Sequence, residues 1–304
     1  MKQFDEGTGP LGGNDTPLAR ELAENTTRLA RVRALRLPKP RKTRIIAVSN
    51  QKGGVGKTTT VVNLAAALAL KGATVLVIDV DPQGNASTAL NIDKQAGTTG
   101  LYEVLMGQCR LEEAIQVSTD APGLFGIAAT LKLGQIEFDM TATSDRNHRL
   151  ANALNLFLET ATTPPDYVLM DCPPSFGSLT INALSAANEV LIPIQGEFYA
   201  LEGLAQLLQN VEAVKGATNP NLEVSTILLT MFDARTRLAQ GVAEDVRAHF
   251  GDVTLTTVIP RSVKVSEAPS FDRSVVTYDP SSPGAIAYME AAAEIAIRGE
   301  TNGR

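Results

Sequence analysis

The stretch "SNQKGGVGKTTT", Ser49 to Thr60, comes within one residue of a phosphate-cradling pattern. That pattern asks for Gly, four residues of any kind, then Gly-Lys-Ser/Thr. Counting back from Gly56 and Lys57, the first glycine belongs at position 51, where Gln51 stands, followed by a second lysine, Lys52. The flanks keep the required context. "RIIAVSN" (44–50) reads as a short apolar strand, and "TTTVVNLAAALALKG" (58–72) as a helical run ended by Gly72. Gly53, Gly54 and Gly56, with Val55 between them, let backbone N–H groups curl around an anion, and the helix start adds partial positive charge. In such a loop Lys57 bridges the β- and γ-phosphates, the Thr58 hydroxyl ligates Mg²⁺, and Thr59 reaches the α-phosphate.

Working outward, five more apolar runs follow: "ATVLVIDVD" (73–81), "DYVLMDCPP" (166–174), "EVLIPIQ" (189–195), "STILLTMFD" (225–233) and "LTTVIP" (255–260). Helical segments lie between most of them, including one near 146–160, while the stretch after "PQGN" is less regular. Continuous β-branched strands alternating with helices predict a doubly wound α/β fold, its mostly parallel sheet covered by helices on both faces. Ligands of such sheets bind outside the carboxyl ends of the strands. Asp79 and Asp81 stand two apart at one such end and share a face, so that one carboxylate could orient a water near the γ-phosphate. Asp171, after four apolar residues, stands where a Walker B aspartate holds Mg²⁺.

The 304 residues are 44% hydrophobic with a net charge of −6, which suits a water-soluble globular chain. No apolar run approaches the ~20 residues of a membrane span. "MKQFDE" has no apolar signal core, so the expected compartment is the cytoplasm. Charge is unevenly placed. Arg28, Arg31, Arg33, Arg36, Lys39, Arg41, Lys42 and Arg44 form a run of eight with no acidic residue among them. Removing those eight from the 27 basic residues leaves 19 against 33 acidic, a net −14. Residues 1–15 read as disordered; Thr16-Pro17 starts a helix with Leu18, Leu22, Leu29 and Val32 at helical spacing, and "LPKPRKT" (37–43) is a linker. Residues 1–43 are therefore expected to be a mobile basic extension that binds DNA, an acidic partner or a membrane surface, or stays solvated. Residues 44–304 form the main domain.

"KGGVGKTTT", "DVDPQGN", "DYVLMDCPPS", "TMFDART" and "IPRSVKVSEAPS", in this order, resemble the ParA/Soj chromosome- and plasmid-partitioning ATPases. These share a deviant Walker A loop with MinD and the nitrogenase iron protein. The resemblance runs from about Arg44 to about Ile297. It implies ATP and Mg²⁺ as cofactors, weak hydrolysis stimulated by partner and DNA, an ATP-bound homodimer on nonspecific double-stranded DNA, a ParB-like centromere-binding partner, and a nucleoid-associated cytoplasmic protein. By resemblance, Lys52 reaches the phosphates of a partner subunit, Asp81 is the carboxylate needed for hydrolysis, and Pro260 lines the adenine pocket. Thr58, Asp81 and Asp171 are the implied metal ligands. The implied DNA surface holds Arg235 and Lys264, with Arg237, Arg261 and Arg273 nearby. Close relatives often carry Arg where Lys264 stands; the charge is kept and the fork lost. Residues 230–275 hold six basic and six acidic side chains, so a basic stripe needs sorting in three dimensions.

Three alternatives follow from the same residues. A MinD-like division ATPase would dock on membranes through a basic C-terminal helix, whereas this chain ends "EAAAEIAIRGETNGR" with little basic charge, so no membrane partner is expected. Cys109 and Cys172 are too few for a disulfide framework or a one-chain zinc site, although two chains could share an iron–sulfur cluster. A small buried residue would equally suit position 172. His148 and His249 sit in polar helical contexts and imply no metal. The third alternative is a nucleotide-dependent scaffold without turnover.

Overall fold

The six apolar runs become strands of one sheet: β1 (Arg44–Val48), β2 (Val75–Asp79), β5 (Tyr167–Asp171), β6 (Glu189–Gln195), β7 (Glu223–Phe232) and β8 (Thr254–Pro260). The structure, a computed structural model, describes residues 16–140, 145–197 and 200–301. The disorder expected of residues 1–15 lies outside the described residues. Two short strands, β3 (Gln116–Val117) and β4 (Leu124–Ile127), arise from the stretch that looked irregular. The sheet order is β3-β4-β2-β5-β1-β6-β7-β8, with β3 antiparallel to β4 and every other pair parallel. Strand order reverses around β1, whose neighbours are β5 and β6. The glycine loop leaves the sheet at this switch point, where open α/β sheets bind ligands.

Helices cover both faces. On one, Lys57–Leu70 and Pro283–Thr301 pack through alanines: Ala65, Ala66 and Ala69 on the first, Ala285, Ala292 and Ala296 on the second. Such small side chains let two helices approach each other and the sheet closely. Asn63 sits inside this layer with both ends satisfied, donating to the Thr59 carbonyl at 2.7 Å and accepting from Val275 N–H at 2.7 Å. The other face carries Arg149–Thr160, Ser178–Ala186, Ala200–Ala217 and Arg237–Phe250 over Ile78, Met170 and Ile192. Arg44, buried at the start of β1, pairs with Glu189 at 2.7 Å and donates to the Ile295 carbonyl at 2.7 Å, fastening the sheet to the last helix.

The N-terminal helix Pro17–Ala34 starts as expected, with the Thr16 hydroxyl accepting from Ala19 N–H at 3.2 Å and Pro17 at its first position. The expectation of a mobile arm is corrected for residues 16–43. Val32 is 1% exposed in the main core, Arg28 forks onto Glu290 at 3.1 and 2.6 Å, and Lys39 pairs with Asp166 at 3.0 Å. Lys71 donates to the carbonyls of Val32, Arg33 and Leu35, satisfying the helix end. Leu22 is exposed, whereas Leu29 and Val32 of the same stripe pack against the core. The helix Pro283–Thr301 is buried along most of its length, and among the described residues no helix is long and apolar enough to cross a membrane.

Candidate nucleotide site

The loop after β1 bends where glycine is needed. Gly54 and Gly56 have φ of +77° and +88°, a region that L side chains avoid, and Gly56 caps the helix Lys57–Leu70 in this conformation. Gln51 is exposed at the position of the missing glycine. Neighbouring strand ends hold the loop. Asn50 donates to the Pro193 carbonyl at 2.8 Å and accepts from Lys52 N–H at 3.0 Å. Gln195 donates to the Gly54 carbonyl at 3.1 Å, and the Thr230 hydroxyl to the Val55 carbonyl at 2.8 Å.

Lys57 is 7% exposed, and its ammonium donates to the Lys52 carbonyl at 3.2 Å across the loop. Burial lowers its pKa, against the opposing charges of Asp171 and Asp81. The Thr58 hydroxyl donates to Asp171 Oδ2 at 2.7 Å, while Asp171 Oδ1 is buried without a hydrogen-bond partner. Burial, reinforced by the charge of Asp79, pushes the Asp171 carboxyl well above the usual carboxylate range. Asp79 is its register partner on β2.

The two carboxylates of "DVD" have different surroundings. Asp79 is fully buried, and its Oδ2 accepts from Ser87 N–H at 2.7 Å and from the Ser87 hydroxyl at 2.6 Å. Ser87 Oγ in turn accepts from Ala129 N–H at 3.0 Å. Burial pushes Asp79 up to about 6. Asp81 lies at the mouth, accepting Gln83 N–H at 3.0 Å and opening the turn to Gly84.

Lys52 extends from the loop into solvent and forms an ion pair with Glu197 of its own chain. A cleft of 290 Å³ flanks the loop helix, lined by Thr58, Thr59, Asn63, Asn85, Pro269 and Arg273 among others. Pro260 ends β8 on the opposite flank, in register with Phe232. Arg235, Arg237 and Arg261 meet at the carboxyl ends of β7 and β8. Arg235 forks onto Asp233 at 2.9 Å through both nitrogens, Arg261 N–H bonds the Phe232 carbonyl at 3.3 Å, and Arg237 begins the following helix. Chiefly through Arg235, with help from Arg261, Asp233 is pulled down to about 2. Lys264 is exposed, paired with Glu267 at 2.9 Å and 5.8 Å over the Tyr278 ring. Arg273 stands apart from these, at the cleft beside Thr58.

Sequence reasoning missed Asn50, Ser87, Gln195, Glu197 and Thr230. Gln195 and Thr230 carried a usable signal, since each is a polar residue at the carboxyl end of an apolar strand, as Asp171 is. Cys172 is wholly buried, so no second subunit reaches its sulfur to share a cluster, and burial pushes its thiol pKa up. Among the described residues no group of three or more His, Cys, Asp or Glu is arranged to hold a metal ion.

A family model described as an AAA domain matches residues 43–224. The chromosome partitioning protein ParA of Caulobacter vibrioides is 50% identical over 255 residues, covering 84% of this chain and 94% of that protein. The chain belongs to the ParA/Soj family. The sporulation initiation inhibitor protein Soj of Bacillus subtilis is 46% identical over 256 residues, 84% of this chain and 99% of that one. A solved structure named cobyrinic acid a,c-diamide synthase, from Mycobacterium smegmatis with bound ATP analogue and magnesium, superposes with a TM-score of 0.73 at 35% identity. It covers 86% of this chain and 97% of that one. The solved synthase structure and this chain thus share one overall fold.

Proposed function

We propose that the chain is a Mg²⁺-dependent ATPase that alternates between an ATP-bound dimer on nonspecific double-stranded DNA and a released form. In this reading it segregates chromosome or plasmid DNA with a ParB-like partner. The observation that carries the reading is the convergence of Lys57, Thr58 and Asp171 beneath the glycine loop. Thr58 and the orphaned Asp171 Oδ1 fit a hard divalent ion, which retains water and phosphate oxygens and so needs few protein ligands. Mg²⁺ in such a site neutralises charge on the phosphate oxygens. Lys57 places a fixed cation on the phosphates, and the loop N–H groups cradle them. Asp81 lies at the mouth, whereas Asp79 is sealed beneath it, so Asp81 is the carboxylate that would accept a proton from, and orient, an attacking water. Lys52 and its exposed pairing with Glu197 suit a cation that changes partners, because such surface pairs contribute only about 0–1 kcal/mol. A second subunit's phosphates would displace Glu197.

The test is duplex-DNA binding with ATP, with ADP and without nucleotide, alongside anionic liposomes. ATP should tighten DNA binding at least tenfold over ADP, with no ATP-dependent liposome binding. Lys57→Ala should lose both ATP affinity and the tightening. DNA affinity that ignores the nucleotide, or ATP-driven binding to liposomes instead, rejects the partitioning reading.

A further inference from the structure

The fold divides the basic run Arg28–Arg44 into two sets. Arg28, Lys39 and Arg44 are neutralised internally by Glu290, Asp166 and Glu189. Arg31, Arg33, Arg36, Arg41 and Lys42 are exposed, and among the described residues none of these five side chains has an ion-pair partner. The first set, with Lys71 on the carbonyls of Val32, Arg33 and Leu35, holds the segment that carries the second. An acidic chain therefore displays a strip of sequence with five exposed cations on an anchored segment.

We propose that this strip is a second contact surface for the phosphate backbone of duplex DNA, separate from the nucleotide site and independent of nucleotide. The choice of DNA over another polyanion rests on the partitioning function proposed above. Four of the five cations are guanidinium groups, whose planar forks match phosphate oxygens. No aromatic residue lies between Arg28 and Arg44 to stack on unpaired bases, which favours duplex over single strands. A membrane surface would require several large apolar side chains beside the charges, yet Leu29, Val32 and Leu37 are packed against the core and leave Leu35 as the one large apolar side chain of this segment that is exposed. Lys71 follows the last turn of the helix that begins at the loop, about 20 Å away at 1.5 Å per residue, so DNA on the strip need not touch the nucleotide.

The experiment measures anisotropy of a labelled mixed-sequence duplex with nucleotide-free, full-length protein at several salt concentrations. Replacing Arg31, Arg33, Arg36, Arg41 and Lys42 together by Ala should weaken binding at low salt at least tenfold. It should also make the log affinity–log salt slope shallower by about 4 to 5, the value for five phosphate contacts. A variant with Lys at the four arginine positions should retain the slope, which separates charge from folding. Polyglutamate and phosphatidylglycerol vesicles serve as rival ligands. Unchanged affinity and slope in the alanine variant overturn the proposal, as does a loss seen with polyglutamate or vesicles and not with DNA. If ATP fails to tighten binding in either protein while the strip dependence remains, the partitioning reading fails and the second surface stands.

Discussion

At the residue scale, the two aspartates of "DVD" separate into one that supports and one that faces the mouth. Asp79 accepts both the N–H and the hydroxyl of buried Ser87, so Asp79→Ala leaves two donors without an acceptor at about 1–3 kcal/mol each. Urea unfolding should show a loss of that order, with nucleotide binding falling only as the protein unfolds. Asp81→Ala removes one part-buried turn bond against the two fully buried ones of Asp79, so its unfolding midpoint should stay nearer that of the parent while phosphate release from ATP disappears and ATP binding persists. An Asp81→Ala protein with normal turnover would move the proton acceptor elsewhere. Spacing could place both carboxylates at a strand end but could not distinguish them. The difference comes from Ser87, eight residues from Asp79, whose position depends on how "PQGN" turns. Lys57, Thr58 and Asp171 were legible because each follows from a local rule, a helix start or a strand end. Glu197 was not, since its meeting with Lys52 depends on two loops 145 residues apart.

At the scale of elements, the six long strands were legible because β-branched continuity marks strands buried on both faces. β3 and β4 were not. β3 has only two residues, and β4 contains Gly126, where a Cβ would come within 2.8 Å of Ile92 Cδ1. Glycine there serves packing and erases the apolar pattern. The buried pair Arg44–Glu189 joins β1, β6 and the last helix, and it supplies an element-scale prediction. Removing one partner strands a charge, so Glu189→Ala should cost about 3–5 kcal/mol in urea unfolding. The double variant Arg44→Met, Glu189→Leu should recover most of that loss, because apolar replacements of similar volume avoid both desolvation costs. A double variant no more stable than Glu189→Ala would indicate that the Arg44 bond to the Ile295 carbonyl carries the junction.

For the whole molecule, the decisive arrangement is the separation of its two ends. The groups proposed to bind phosphate gather at the carboxyl ends of the strands, whereas the N-terminal extension is anchored at Glu290, Asp166 and Lys71, beyond the far end of the loop helix. Composition exposed the extension as a basic run but not its docking, because that depends on Val32 meeting a core that the last helix, more than 200 positions away, helps to build. Deleting residues 1–43 should therefore act on stability rather than chemistry. Uncovering the site of Val32 alone forfeits about 2 kcal/mol of apolar burial, and the Arg28 fork and the carbonyl partners of Lys71 are lost with it. The truncated protein should unfold at lower urea while basal ATP turnover, measured well below that transition, stays within about twofold of the full chain. Nucleotide-free DNA binding should fall with the five exposed cations in the same truncation. A truncation that loses basal turnover while remaining folded would show that the extension acts on the loop through the helix Lys57–Leu70, and the two ends would then be mechanically linked.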